Sequence, residues 1–135
     1  MKSITLFTFL LISILFLSFQ SKPKFDLKAS IAKGKDIYQS TCMSCHMENG
    51  EGLEDVYPPL AKSDYLMADK KRVVQQILYG ASGPMKVKGK MYNGEMTGFD
   101  LSDTEVSDLA NYIRNSFGNK GPALLPEEVK AGRKK

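Results

Sequence analysis

The sequence of 135 residues predicts a single all-α domain of three or four helices, preceded by an apolar N-terminal segment. Three observations lead to this prediction. Apolar residues recur at spacings of three and four in separate segments, as is typical of amphipathic helices. Two of those segments are framed by residues that begin and end helices. No segment shows the alternation of apolar and polar residues that indicates a strand.

Residues 1–21 are predicted to form a signal peptide or an N-terminal membrane anchor. Lys2 precedes an uncharged apolar run over residues 4–19, which is the order of regions in a secretory signal. The run is slightly shorter than the about 20 apolar residues that span a bilayer, and the nearest cleavage site ends on Gln20, which is not small. Both fates stay open. Either one exports the rest of the chain to the periplasm or to the outer face of the cytoplasmic membrane.

Residues 22–27 are predicted to be a linker, because they combine a proline with charged residues. The first helix follows over about residues 27–41. Ile31, Gly34 and Tyr38 recur there at spacings of three and four, so they mark one face of this helix. The helix ends beside both cysteines of the chain.

The second and third helices carry clearer signals at their ends. Asp69 is the predicted N-cap of a helix that Gly80 ends. The third helix begins at a capping box, in which Ser102 is the N-cap and Glu105 follows three residues later. Gly118 marks the expected end of this helix. Its apolar stripe consists of Val106, Leu109, Ala110, Ile113 and Phe117.

The domain is predicted to span residues 28–118, followed by a C-terminal extension over residues 119–135, in which Pro126 can begin a short helix. Two long irregular segments, residues 47–64 and 81–99, connect the helices. Loops longer than about 12–15 residues usually have a functional reason, and three short helices make a thin core. A large apolar cofactor would supply the missing interior.

Both cysteines and the only histidine stand together in the stretch Cys42-Met43-Ser44-Cys45-His46. A redox-active dithiol usually lies in a βαβ unit, and a structural disulfide over so small a loop stabilises little. Zinc takes about four ligands, or three in a catalytic site, so a carboxylate would have to join these donors. The pattern Cys-x-x-Cys-His is the one for covalent attachment of c-type haem. In this interpretation Cys42 and Cys45 bond to the haem and His46 ligates its iron.

The chain resembles the class I cytochromes c, small monohaem electron carriers, over about residues 28–118. The resemblance implies a cytochrome c fold, with three or four helices around one covalently bound haem c. It also implies that the first helix crosses the last one closely. The residues that match this crossing are Gly34 and Tyr38 on the first helix and Leu109 and Tyr112 on the last.

The segment YPPLAKSDYL resembles the Pro-x-Leu turn of the same family. By spacing, Pro58 and Leu60 match this turn, and Pro59 is the alternative proline. The resemblance implies that the proline carbonyl group accepts a hydrogen bond from the second ring nitrogen of His46. Such a contact fixes the orientation of a ligating ring.

The sixth position of the iron determines the function, because a methionine there is typical of an electron carrier and an open position permits ligand binding. The candidates are Met85, Met91 and Met96. Met96 is our choice, since YNGEMTGFDLSD resembles the ligand loop of the family, with a phenylalanine three residues after the methionine. Met91 is the alternative, and Met85 is expected to pack on the haem edge or the core. The loop departs from many relatives in having Thr97 where they have proline.

The resemblance implies an electron carrier rather than an enzyme. The expected partners are redox proteins, namely a terminal oxidase, a reductase, a dehydrogenase or a quinol-oxidising complex, and the carrier is expected to be a monomer. Nineteen basic and fifteen acidic residues give a net charge of +4, which is too small and dispersed to predict nucleic-acid binding. Two alternatives stay open. One is a haem sensor or ligand-binding protein with an open sixth site, and the other is a cytochrome subunit of a larger oxidoreductase complex.

Overall fold

The computed structural model describes residues 24–133, which form six helices and one two-stranded antiparallel sheet. The helices are α1 Leu27–Thr41, α2 Met43–His46, α3 Asp64–Ala68, α4 Lys70–Tyr79, α5 Asp103–Asn115 and α6 Pro126–Gly132, and the strands are β1 Met85–Val87 and β2 Lys90–Tyr92. The predicted signal or anchor segment lies outside the described residues. Within residues 24–133, no helix has both the length and the apolar character needed to cross a membrane.

The predicted helical class is confirmed, although residues 24–133 contain more elements than the three or four helices expected. Two of the additional helices, α2 and α3, are short turns of four and five residues. The strands of the hairpin have three residues each, too few for an alternating pattern to be visible in the sequence. Lys88 and Gly89 form the turn with φ of 50° and 83°, as a two-residue hairpin loop requires.

Helices α1 and α5 cross with their backbones in contact. A Cβ atom added at Gly34 would overlap the carbonyl oxygen of Asp108 and would lie 2.8 Å from the Cβ atom of Tyr112. The ring of Tyr38 packs on the ring of Tyr112, with 5.3 Å between their centroids. Leu109 of α5 is fully buried in the core. The close approach of the two helices therefore depends on the absence of a side chain at Gly34.

The predicted N-terminal signals of α4 and α5 are confirmed. The carboxylate of Asp69 accepts a hydrogen bond from the backbone N–H of Lys71 at 2.8 Å. At α5, the hydroxyl oxygen of Ser102 accepts from the N–H of Glu105 at 3.3 Å, and the Glu105 carboxylate accepts from the N–H of Ser102 at 2.9 Å. These contacts satisfy N–H groups that have no partner inside the helix.

The end of α5 differs from the prediction. The helix ends at Asn115, before the glycine at position 118 that the sequence suggests as its stop. Phe117 takes a φ of 58°, and its ring packs against that of Tyr38 with 5.2 Å between centroids. The end of α5 therefore coincides with the packing of Phe117 on α1, and not only with Gly118.

The C-terminal segment, residues 119–133, packs on the helices that precede it. Leu124 and Val129 are 1% and 0% exposed. The N–H of Leu124 donates to Oδ1 of Asn111 at 2.7 Å, and Nδ2 of Asn111 donates to the carbonyl oxygen of Leu124 at 2.9 Å. The same Nδ2 also donates to the hydroxyl oxygen of Ser30 on α1 at 3.0 Å. One buried amide thus joins α1, α5 and the C-terminal segment.

Candidate haem site

The Cys-x-x-Cys-His sequence forms a helical turn directly after α1. Cys42 caps the C-terminal end of α1, and its N–H donates to the carbonyl oxygen of Tyr38 at 2.9 Å. Cys45 and His46 donate their backbone N–H groups to the carbonyl oxygen of Cys42, at 3.2 and 2.9 Å. Met47 then takes a φ of 64°, which ends the turn. Because residues three apart lie on one side of a helix, the two free thiols share a side.

Tyr38 connects the helix crossing to this turn. Its side chain is 1% exposed, and its hydroxyl group donates to the carbonyl oxygen of Met47 at 2.6 Å. Burial raises the pKa of this hydroxyl group above its ordinary value, with smaller contributions from Cys42 and Tyr112. The hydroxyl therefore keeps its proton and its role as a donor. The position of the turn is tied in this way to the packing of α1 on α5.

The ring of His46 is held by the loop that follows. Its Nδ1 lies 3.2 Å from the carbonyl oxygen of Pro58. Since a carbonyl oxygen only accepts, Nδ1 carries the proton and Nε2 keeps a free lone pair. Burial lowers the pKa of this imidazole, and the hydrogen bond to Pro58 opposes that shift. The neutral ring is the form that binds a metal, and of the two adjacent prolines it is Pro58 that makes this contact.

Backbone hydrogen bonds hold this loop against the turn. The carbonyl oxygen of Gly50 accepts from the N–H of Leu60 at 2.8 Å, and that of His46 accepts from the N–H of Gly52 at 3.1 Å. Gly52 has a φ of 69°, and a Cβ atom there would lie 2.9 Å from the carbonyl carbon of Pro58. Both its conformation and its surroundings require a glycine. The position of the Pro58 carbonyl group therefore follows from backbone contacts.

The turn lies in the wall of a cavity of about 390 Å³. Cys42, Cys45 and His46 all line it. Most of the remaining wall is apolar and comes from the following loop, α3, α4 and α5, with side chains that include Leu60, Leu66, Val73, Ile77, Leu109 and Ile113. An apolar cavity of about 300–1,000 Å³ with a few convergent polar groups is typical of a cofactor site.

The three candidate methionines differ in position. Met85 and Met96 line the cavity. Met91, the alternative, is 56% exposed and is not part of the cavity wall. The backbone of Met96 pairs with Ala81, and each residue donates its N–H to the carbonyl oxygen of the other, at 2.8 and 3.0 Å. The cavity thus brings two methionines together with the Cys-x-x-Cys-His turn.

The segment after Met96 is held against the end of α4. A Cβ atom added at Gly98 would lie 2.7 Å from the carbonyl carbon of Tyr79. The N–H of Phe99 donates to the carbonyl oxygen of Ile77 at 2.9 Å. These contacts restrain the segment although Thr97 stands where the family often has proline.

Two polar residues of the cavity wall, Tyr57 and Gln76, were not identified from the sequence. Nε2 of Gln76 donates to the hydroxyl oxygen of Tyr65 at 3.3 Å, and a hydrogen bond with Cys45 raises the pKa of Tyr57. Gln76 stands three residues after the buried Val73 on one helix, so helical spacing could have indicated it. Tyr57 lies in an irregular loop, where no such spacing applies.

These side chains fit one covalently bound haem. Two thiols on one side of a turn, an imidazole with a free nitrogen, and a thioether all line one apolar cavity. Among residues 24–133, no group of three or more His, Cys, Asp or Glu is arranged to hold another metal ion. The fold and the site therefore define a small helical haem protein of the c type.

Comparison with known proteins agrees with this class. The family described as Cytochrome c matches residues 31–117. Cytochrome c-552 of Thermus thermophilus is 32% identical, over 77% of this chain and 96% of that protein. The cytochrome c subunit of a quinone-dependent alcohol dehydrogenase from Gluconobacter oxydans is 31% identical, over 68% of this chain and 20% of the subunit. The Cbb3-type cytochrome c oxidase subunit CcoP of Azospirillum brasilense is 34% identical, over 68% of this chain and 30% of that subunit.

The chain therefore belongs to the cytochrome c family. Its cofactor is one haem c, attached covalently. Its role is to transfer electrons, as a carrier or as a subunit of an oxidoreductase complex, and not to catalyse a reaction by itself.

Proposed function

We propose that the chain is an exported monohaem cytochrome c in which His46 and Met96 are the axial ligands of the iron. It carries single electrons between respiratory or dehydrogenase complexes. The observation that carries this proposal is that Met96 lines the same cavity as the Cys-x-x-Cys-His turn. Cys42 and Cys45 are the proposed attachment residues, and each thiol adds across one vinyl group, so that no atom is lost.

The protein contributes orientation and exclusion of water, and the haem supplies a one-electron couple when bound. The hydrogen bond from Nδ1 of His46 to Pro58 fixes the ring and makes Nε2 more basic. A methionine ligand raises the reduction potential, and the apolar wall limits the access of water. Backbone contacts hold the segments that carry His46 and Met96, so little rearrangement is expected when an electron arrives or leaves.

Met96 has better support than the other two methionines. Met91 is more than half exposed, and its neighbour across the hairpin, Lys86, is exposed as well. Met85 lines the cavity, but it pairs across the hairpin with Tyr92, which lines the cavity too. We therefore expect Met85 to pack beside the haem.

The oxidised holoprotein is expected to show the weak charge-transfer absorption band of a methionine–iron bond. Met96→Ala removes the only sulfur proposed as a ligand, so this band should disappear from the visible spectrum. Met91→Ala is the matched control on the exposed face of the hairpin and should keep the band. Met85→Ala is the sharper control, because Met85 also lines the cavity, and it should keep the band as well.

A band that survives in Met96→Ala and is lost in either control would assign the ligand to that other methionine. High-spin iron that binds carbon monoxide readily in the unmodified protein would favour the alternative of a haem sensor or ligand-binding protein. Both outcomes are read from the same absorption spectra.

Export is proposed from the apolar run over residues 4–19, and the site of action is then the periplasm or the outer face of the cytoplasmic membrane. When the protein is purified from its natural source and then denatured, we expect it to have the mass of its polypeptide plus one whole haem. A cleaved signal would give an N-terminus near Ser21, whereas a retained anchor would give the full-length mass in the membrane fraction. A polypeptide mass without haem would contradict covalent attachment, and a full-length chain recovered in the cytoplasm would contradict export.

A cytochrome subunit of a larger oxidoreductase complex is the second candidate function. Two of the three relatives described above are named as subunits of this kind, one of an alcohol dehydrogenase and one of an oxidase. The chain covers 20% and 30% of those proteins, against 96% of cytochrome c-552, and we therefore favour the carrier. Stable co-purification with a larger complex from native membranes would reverse this preference.

A further inference from the structure

Arg114 of α5 is a buried cation that forms no ion pair with a carboxylate of residues 24–133. It is 2% exposed, and none of the ion pairs among residues 24–133 includes it. Its Nη1 donates to the carbonyl oxygen of Leu66 at 3.2 Å. Its Nε is buried and has no hydrogen-bond partner in the described part of the chain. Burying an unpaired charge is unfavourable, so this arrangement calls for a functional reason.

The surroundings of Arg114 join the cavity wall to the C-terminal segment. Leu66, which accepts its hydrogen bond, lines the cavity, and so does Ile113, its neighbour on α5. From the other side, Gly121 lies against the guanidinium group, and a Cβ atom there would be 3.1 Å from Nη2. The C-terminal segment therefore covers a cation that is bonded to the wall of the haem cavity.

The charge of Arg114 is permanent under ordinary conditions. Burial lowers the pKa of the guanidinium group, and the carboxylates of Glu128 and Asp69 act in the opposite direction. An arginine does not lose its proton in proteins even so, because its ordinary pKa is so high. Leu66 thus stands between the cavity and a fixed positive charge.

We propose that Arg114 is an electrostatic tuning residue, whose buried charge raises the reduction potential of the haem in the adjacent cavity. Reduction transfers one electron from an external redox protein to iron(III), and no bond or proton changes at Arg114. A fixed positive charge destabilises the oxidised site more than the reduced one, because the oxidised site carries one more positive charge. Since the guanidinium group is covered, salt screens this interaction weakly. The inference rests on haem in this cavity and not on the identity of the sixth ligand.

The test measures the midpoint potential of the holoprotein by spectroelectrochemical titration in Arg114→Gln, Arg114→Met and Arg114→Lys. At a fixed potential, the two neutral variants should shift the ratio of oxidised to reduced protein about five- to fifteenfold toward oxidised. This range is the interaction energy of two unit charges, converted to a ratio, at an effective dielectric constant of about 20. The charges are those of the guanidinium group and the oxidised iron, with their separation taken as about 10–15 Å. A tenfold shift corresponds to about 59 mV for one electron. Arg114→Lys keeps the charge and should shift the ratio by less than about twofold.

Lys120→Met is the matched control, because it removes one positive charge from an exposed position in the C-terminal segment that covers Arg114. Its effect should be small and should vanish in about 1 M salt, where the Debye length is about 3 Å. The effect of Arg114→Gln should persist there. An unchanged potential in Arg114→Gln would overturn the proposal, as would an equal drop in Arg114→Lys, since that would indicate a change of structure rather than of charge.

Spectra and chemical denaturation of the same variants separate a structural role from tuning. Unchanged absorption bands show that the iron keeps its ligands. If Arg114→Met does not assemble, the Gln and Lys variants give the same comparison, since both retain a group that can donate to Leu66. A wild-type spectrum without histidine coordination would instead contradict the proposed function, so the two failures are distinguishable.

Discussion

Gly34→Ala is expected to lower the free energy of unfolding of the holoprotein by more than about 3 kcal/mol. The added Cβ atom would overlap the carbonyl oxygen of Asp108 and lie 2.8 Å from the Cβ atom of Tyr112. Neither atom can rotate away, so α1 and α5 have to move apart. Unfolding in guanidinium chloride, followed by far-ultraviolet circular dichroism, measures the loss.

Lys33→Ala is the control for this substitution, because Lys33 is the exposed neighbour of Gly34 on α1. It should change the free energy of unfolding by less than about 0.5 kcal/mol. Equal effects of the two substitutions would mean that the helices separate without loss of stability. Because Tyr38 of α1 donates to the carbonyl oxygen of Met47, we also expect a weaker charge-transfer band in Gly34→Ala.

Asn111→Ala is expected to lower the free energy of unfolding by about 2–4 kcal/mol. The amide of Asn111 satisfies both backbone groups of Leu124, at 2.7 and 2.9 Å, and also bonds to Ser30. Leu124 is 1% exposed, so water cannot readily replace these bonds. The substitution leaves the buried N–H of Leu124 without a partner, which costs about 1–3 kcal/mol, whereas the carbonyl oxygen of Leu124 keeps the hydrogen bond from Ser107. The lost bond to Ser30 and the cavity left by the amide add to this cost, and the same denaturation experiment measures the combined effect.

Asn93→Ala provides the comparison, since Asn93 is exposed and its substitution should change stability by less than about 0.5 kcal/mol. A loss in Asn111→Ala that does not exceed the loss in Asn93→Ala would show that the amide contributes nothing to holding the C-terminal segment. The slope of the unfolding curve should remain unchanged if the segment unfolds together with the rest of the domain.

The long helices could be predicted because their signals are periodic and local. Helix α1 lies where the spacing of Ile31, Gly34 and Tyr38 predicts it, and Asp69 and Ser102 cap α4 and α5 as expected. The hairpin and the short helices α2 and α3 could not be predicted in this way. Elements of three to five residues contain too few positions to show a period.

For the site as well, residues in a local motif could be predicted, whereas residues brought together by the fold could not. The attachment turn is a contiguous motif, so Cys42, Cys45 and His46 could be identified from the sequence. Which methionines line the cavity depends on the fold of the loop, because Met91 and Met96 belong to the same irregular segment. Arg114 is a still clearer case of a non-local effect. The sequence alone would predict that a charged residue on a helix is exposed. Arg114 is buried instead, because residues 119–133 pack over α5.

The crossing of α1 and α5 closes a long loop, since Ser30 and Asp108, which bond across it, are 78 positions apart in the chain. Bringing the ends of so long a loop together costs about 4 kcal/mol of chain entropy from its length alone. That loop contains every residue of the cavity wall except Leu109 and Ile113, which follow Asp108 on α5. We therefore expect the cavity and the crossing to unfold as one cooperative unit, so that the haem pocket loses its stability once the two helices separate.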